Sequence, residues 1–262
     1  MRLSARAWGD PDAPLVVCLH GVTAHSGRFR KLAEERLAER FHVLALDLRG
    51  HGHSTWEEPW DINTHTTDVL ETVDRSGAWI GHSFGGRIVM EIGARRPDLV
   101  ERMVLLDPAM FVPPLIAEQL AEESLAELSF ASREDALSWR KQAGGLAHTP
   151  HEFLLEDLEQ HLAESEDGRL RLRYSTQAVA AAYRGMGSER PPPFEDLRLR
   201  TLLVVGALSK IVGAGEAELY RRALGELLRV VVVPGGHTVL WDAYEETAAA
   251  VEGFLAASPA RA

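Results

Sequence analysis

The sequence predicts an α/β protein: a mostly parallel sheet flanked by helices, with a helical insertion in its second half. Three observations predict it. Six short runs are almost continuously apolar: "LVVCLHG" from Leu15, "HVLALDL" from His42, "AWIGHS" from Ala78, "RMVLLDP" from Arg102, "TLLVVGA" from Thr201 and "RVVVVPG" from Arg229. Strands with this pattern are buried on both faces, as in a parallel sheet covered by helices. Helical segments separate the runs, which implies right-handed strand–helix–strand crossovers. The alternation then breaks between about Phe111 and Pro193, where the chain reads as helical and carries no strong strand.

The elements follow in order. "GRFRKLAEERLAERF" sets Phe29, Leu32, Leu37 and Phe41 near one helical face. "GGRIVMEIGARRPDLV" follows the third apolar run and stops at Pro97. In the insertion, "PPLIAEQLAEESLAEL" opens on proline and carries apolar Ile116, Leu120, Leu125 and Leu128. "SREDALSW" offers Ser132 as a cap with Asp135 three residues on, and "TPHEFLLEDLEQHL" offers Thr149 as a cap, Pro150 at the first helical position and Glu152 completing a capping box. "PPPFEDL" from Pro191 returns the chain stiffly to the next strand. "DAYEETAAAVEGFLAA" closes the chain with Asp242 as N-cap, and the final "ASPARA" reads as a frayed tail. Residues 1–110 and 194–262 are thus expected to form the sheet-bearing core. Residues 111–193 are expected to form a helical cap over the C-terminal edge of the sheet.

Composition narrows the partners. The 262 residues carry 39 Asp and Glu against 28 Lys and Arg, a net charge of −11, which disfavours nucleic acid and anionic membrane. Cys18 is the one cysteine, so no internal disulfide forms, and its apolar run makes it a core residue. "MRLSARAWGD" lacks the apolar stretch of a signal peptide. No apolar run approaches the roughly 18 residues that span a bilayer. The cytoplasm is the expected location, and oligomeric state is left open.

Chemistry enters with "GHSFGG", Gly81 to Gly86. It fits Gly-x-Ser-x-Gly between a strand and a helix, the context of a nucleophile elbow. Ser83 sits on a sharp, strained turn there, and side chains at 81 and 85 would clash with neighbouring elements. In "LHGVTAHSGRF" the backbone N–H of Val22 follows a strand-end His-Gly pair. With the N–H of Phe84 it offers two donors to an oxyanion, while His20 braces the loop. In "PGGHTVLWD", His237 follows the last strand and is placed to take a proton from Ser83. "GHGHS" (His51, His53) lacks a third ligand at metal-site spacing, so no metal and no cofactor is expected.

These residues together resemble the α/β-hydrolase superfamily over essentially the whole chain. "HG" at His20–Gly21, "DLRGHGHS" at Asp47–Ser54, "GHSFGG", "LLDPA" at Leu105–Ala109 and "GGH" at Gly235–His237 fall in that family's order and spacing. The resemblance implies the α/β-hydrolase fold and a serine nucleophile. The serine argues against epoxide hydrolases and dehalogenases, which use aspartate at the elbow. Substrate is poorly specified, because the fold hosts many chemistries.

One position departs from the pattern. The resemblance places an acid after the strand Thr201–Gly206, but "GALSKIV" puts Lys210 there. Lysine cannot accept the imidazole N–H, and its charge opposes an imidazolium. A subset of the superfamily carries the acid one strand earlier, which here is Asp107 in "LLDPAM". Asp107 is therefore the expected acid. Glu216 or Glu218, or no acid at all, are the alternatives, and Lys210 is either solvated or paired with Asp107. The expected pocket draws Met110, Phe111, Phe130 and Trp139 from the second half of the chain, with Leu115, Phe153 and Tyr183 behind them. Trp56 and Trp60 come from "TWEEPWD". An aromatic lining suits an acyl or aryl group. "RLRLR" (Arg169–Arg173) reads as an alternating surface segment. The resemblance thus implies hydrolysis of a small carboxylic ester through an acyl-enzyme. A C–C bond or lactone hydrolase with the same Ser–His pair is one alternative, and a non-catalytic ligand-binding protein is another.

Overall fold

The computed structural model describes residues 1–142, 144–188, 194 and 197–257. The proline-rich return at 191–193 and the tail beyond Ala257 lie outside the described residues. The strands are β1 (Ala5–Trp8), β2 (Leu15–Leu19), β3 (His42–Leu46), β4 (Gly77–His82), β5 (Val100–Leu106), β6 (Leu162–Glu164), β7 (Leu170–Leu172), β8 (Thr201–Gly206) and β9 (Leu228–Val233). Seven of them form one sheet in the order β1-β3-β2-β4-β5-β8-β9. All neighbours are parallel except β1, which runs antiparallel to β3. The six apolar runs are the six parallel strands.

The reason the runs are continuous is visible in the core. Val16, Cys18, Ile80, Val104, Leu202 and Val204 point to one face, against Ala248, Val251 and Phe254 of the C-terminal helix. Their neighbours Val17, Leu19, Trp79, Met103, Leu105 and Leu203 point to the other, against Ile88, Val89 and Ile92. Successive side chains alternate across a strand, so covering both faces demands an apolar residue at every position. Buried Trp79 keeps its indole N–H satisfied on the Leu99 carbonyl at 2.8 Å. β1 has no such run. Its half-exposed "ARAW" is an edge strand, which gives no continuous apolar signal.

The helices are α1 (Arg30–Leu32), α2 (Ile62–Thr72), α3 (Phe84–Arg95), α4 (Pro114–Ser124), α5 (Arg133–Gln142), α6 (His151–His161), α7 (Thr176–Ser188), α8 (Ala214–Leu224), α9 (Val239–Asp242) and α10 (Tyr244–Ala256). Among the described residues none is long and apolar enough to cross a membrane. α1 is one turn between a 3₁₀ stretch (Ser26–Phe29) and a π stretch (Ala33–Leu37), and Phe29, Leu32 and Leu37 are buried as the periodicity predicts.

Between β5 and β8 the chain leaves the sheet. This insert packs on the loops that follow β2, β3 and β9. Asp157 meets His25 and Arg28, and Gly52 N–H donates to the Arg173 carbonyl. Thr149 donates to Asp242 at 2.6 Å. Several expectations for the insert are corrected here. β6 and β7 form an antiparallel hairpin, and "RLRLR" supplies its second strand. Thr149 does not cap α6, because its hydroxyl serves Asp242; the helix starts behind Pro150 with no side-chain cap. For the same reason Asp242 does not cap the last helix: it ends α9, and Ala243 precedes α10. Ser132 does cap α5, accepting the Asp135 N–H at 3.1 Å. On α4 the buried residues are Ala117 and Ala121, whereas Ile116 and Leu125 are exposed.

α4 turns its small residues inward because it packs closely on α7. A Cβ added at Gly187 would lie 2.4 Å from the Cβ of Ala117. Gly187→Ala improves helix propensity by about 1 kcal/mol, yet overpacking at such a contact costs about 1–3 kcal/mol. The expected result is a lower urea midpoint. A midpoint above wild type would contradict the close α4–α7 approach.

Candidate active site

Ser83 stands between β4 and α3 at φ 53° and ψ −121°, a backbone state that L-residues avoid. The flanking glycines make the turn possible. A Cβ at Gly81 would meet the Gly85 carbonyl oxygen at 2.5 Å, and one at Gly85 would meet that of Leu19 at 2.2 Å. The strained residue is clamped from β5: Ser83 N–H donates to the Leu106 carbonyl at 3.1 Å, and the Ser83 carbonyl accepts from Ala109 N–H at 3.1 Å.

His237 and Asp107 complete a chain of hydrogen bonds. Ser83 Oγ lies 2.9 Å from His237 Nε2, and His237 Nδ1 lies 2.6 Å from Asp107 Oδ2. An ionised carboxylate only accepts, so Nδ1 carries the proton and Nε2 presents a lone pair to Ser83. Asp107 follows β5 at φ 44° and is fully buried. Its Oδ2 also accepts from Ser209 Oγ at 2.5 Å, and its Oδ1 accepts from Gly206 N–H at 3.3 Å. Behind the ring, His82 Nε2 donates to the His237 carbonyl at 3.0 Å, and burial together with nearby His237 holds His82 well below the ordinary histidine pKa.

The other acids weighed for this place are elsewhere. Glu218 faces solvent beside Arg221 and Arg222. Glu216 does not touch His237. Burial, aided by the charge of Asp107, pushes its carboxyl up to about 7, and its Oε1 is buried without a partner among the described residues. Lys210 is exposed, so the neighbour that reaches Asp107 is Ser209. Sequence reasoning passed over Ser209, since a hydroxyl in a polar turn carries no signature of its own.

The loop after β2 is fixed by hydrogen bonds to the Gly21 carbonyl, which accepts from His20 Nδ1 at 2.7 Å and from Ala24 N–H at 3.3 Å. His20 Nε2 accepts the Leu48 N–H at 2.9 Å, so the proton must be on Nδ1; burial keeps the ring neutral. In a trans peptide the next N–H points opposite to the carbonyl. Pinning the Gly21 carbonyl therefore fixes the direction of Val22 N–H. Ser83 packs directly against this loop, for a Cβ at Gly21 would lie 2.8 Å from Ser83 Cβ. Phe84 is the first residue of α3, where an N–H has no intrahelical acceptor.

The expected pocket residues disperse. Trp56 is 44% exposed and lines a cavity of about 190 Å³ with Leu172 and Tyr174. Trp60 lines a second, of about 450 Å³, with Leu125 and Gln177. Met110 is core and Phe111 is exposed. Phe130 and Trp139 pack on each other at 5.7 Å in a separate small cluster. Phe153 stacks on Trp241. Among the described residues, none of these seven hydrogen-bonds to Ser83 or stacks on His237.

Among the described residues one group is spaced to hold a metal: His25, Asp157 and His161, whose ligand atoms lie within 4.8 Å of one another. The donor set does not suit a cation. Asp157 already meets Arg28 Nε at 3.2 Å and Arg140 Nε at 2.9 Å, and Arg140 donates to His161 at 2.8 Å. Against the cost of burial, these guanidiniums hold the Asp157 carboxyl well below the usual range. The group is the joint between insert and core.

Glu216 yields a prediction with a definite sign. Its ordinary pKa is 4.5, and in the folded protein it is about 7. Between those values the folded chain keeps a proton that the unfolded chain has released, so stability falls as pH rises across that window. Glu216→Gln is expected to gain on wild type at pH 8 relative to pH 5, read as urea midpoints. An equal difference at both pH values would show that the carboxyl is not held protonated.

Comparison with known proteins agrees with this architecture. The family of the alpha/beta hydrolase fold matches residues 14–244. Lipase LipV of Mycobacterium tuberculosis is 31% identical over 181 residues, 68% of each chain. The 2-(acetamidomethylene)succinate hydrolase of Mesorhizobium japonicum is 33% identical over 252 residues, 93% of this chain and 88% of that one. The crystal structure of an E-2-(acetamidomethylene)succinate hydrolase superposes with a TM-score of 0.85 at 29% identity, covering 97% of this chain and 95% of that one. The chain belongs to the alpha/beta hydrolase family and is a hydrolase.

Proposed function

We propose that the protein hydrolyses small carboxylic esters through an acyl-enzyme on Ser83. The observation that carries the reading is the unbroken chain from Ser83 Oγ through His237 to Asp107 Oδ2. In this reading His237 Nε2 accepts the Ser83 proton as Oγ attacks the ester carbonyl. The N–H groups of Val22 and Phe84 receive the oxyanion. Collapse breaks the ester C–O bond, and the His237 proton leaves with the alcohol. Water then repeats the sequence on the acyl-serine, giving the carboxylic acid and free Ser83. Asp107 keeps the proton on Nδ1 throughout and stabilises the imidazolium. The insert acts as a cap that bounds the substrate.

A second reading has one specific support. The Mesorhizobium relative matches across 93% of this chain, and its name specifies an acetamide rather than an ester. The same set of groups would serve amide cleavage, with an amine as the leaving group.

The test is the rate of p-nitrophenyl butyrate hydrolysis, with an acetamide substrate measured in parallel. Ser83→Ala is expected to abolish ester turnover. Asp107→Asn is expected to lower kcat by about four orders of magnitude while the protein stays folded. Loss in Ser83→Ala alone would remove Asp107 from the reaction. A wild type that cleaves the acetamide far faster than the ester would favour the second reading.

A further inference from the structure

The turn after β8, where the resemblance places an acid, still reaches the reacting groups. Ser209 Oγ lies 2.5 Å from Asp107 Oδ2, the same oxygen that lies 2.6 Å from His237 Nδ1. The direction of this bond is fixed. Ile211 N–H donates to Ser209 Oγ at 3.2 Å, and a carboxylate offers only lone pairs, so the hydroxyl proton points to Asp107. Ser209 is itself held in its turn, its N–H donating to the Gly206 carbonyl at 3.0 Å.

We propose that Ser209 is a positioning residue for Asp107: its hydroxyl, one residue before the place where the resemblance puts a carboxylate, is a neutral donor that orients the acid supplied by β5. The proposal rests on the reading of Ser83, His237 and Asp107 as the reacting set. The logic is electrostatic and geometric. A carboxylate at 209 would stand within hydrogen-bonding distance of Asp107, setting a second negative charge beside a fully buried carboxylate. A serine there does the opposite and shares the negative charge of Oδ2. It also restrains rotation of the carboxylate, which among the described residues further accepts hydrogen bonds from His237 and, at 3.3 Å, from Gly206 N–H. The titratable groups facing Asp107 are His237 from the loop after β9, and Glu216 and Tyr220 from α8. Removing the hydroxyl leaves all three in place.

The experiment is a cycle of Ser209→Ala and Asp107→Asn, with Ser209→Thr as the conservative variant, all assayed on p-nitrophenyl butyrate. A hydrogen bond to a charged group is worth about tenfold or more in an equilibrium. Ser209→Ala is expected to lower kcat about tenfold with KM within twofold, and to move the acid limb of the pH–rate profile upward. Ser209→Thr is expected to stay within about threefold of wild type. In the Asp107→Asn background, Ser209→Ala is expected to change the rate less than twofold, because its partner has changed. A Ser209→Ala rate within twofold of wild type overturns the proposal. So does an equal tenfold loss in both backgrounds, which would mark a general structural role. A wild-type rate no higher than that of Ser83→Ala overturns the ester reading itself, and is told apart because it precedes any effect at 209.

Discussion

The carboxylate of Asp107 is shut away from water, and a buried charge persists only where donors replace its hydration. Here three do: the imidazole of His237, the hydroxyl of Ser209 and the backbone of Gly206. The acid and its donors come from three strands. β5 supplies the acid, the end of β8 and its turn supply two donors, and the loop after β9 supplies the third. These three strands are consecutive neighbours in the sheet. The site therefore depends on parallel register. If β8 slipped against β5, the Gly206 amide and Ser209 hydroxyl would leave the carboxylate together. The Asp107 N–H, bonded to the Val204 carbonyl at 2.7 Å, ties acid and strand into one unit.

What could be read beforehand follows from how distinctive each signal is. Runs such as "LVVCLHG" and "TLLVVGA" announced the parallel strands, because burial on both faces leaves no room for polar positions. "GHSFGG" and "GGH" announced Ser83 and His237, because few backbones need that glycine spacing. Asp107 was reachable through resemblance alone, since an aspartate after a strand is an ordinary turn residue. Ser209 was not reachable at all. The half-exposed edge strand β1 gives no continuous apolar run, and the alternation of "RLRLR" fits a surface segment as well as a hairpin strand. The caps at Thr149 and Asp242 failed for a shared reason: each side chain satisfies the other across the insert–core boundary, and a cap rule sees only local sequence. Aromatic character alone does not mark a pocket: Phe130 and Trp139 pair within the insert, and Phe153 stacks on Trp241 of α9.

The insert joins the core through buried charge as well as through apolar packing, in which Leu146, Phe153 and Leu154 share one cluster with Phe29, Trp241 and Tyr244. Asp157 gathers Arg28 from the core and Arg140 from α5, with His25 and His161 beside it. Glu156 adds a bidentate pair with Arg30 at 2.7 and 2.8 Å. Removing one partner from such a buried group leaves an uncompensated charge, which costs more than the pair contributes when intact.

The pinned Gly21 carbonyl has a temporal meaning. Flipping that peptide would break the bonds from His20 and Ala24, and would leave the buried His20 proton without an acceptor. The direction of the Val22 amide is set when the chain folds, so its aim does not wait on any later event.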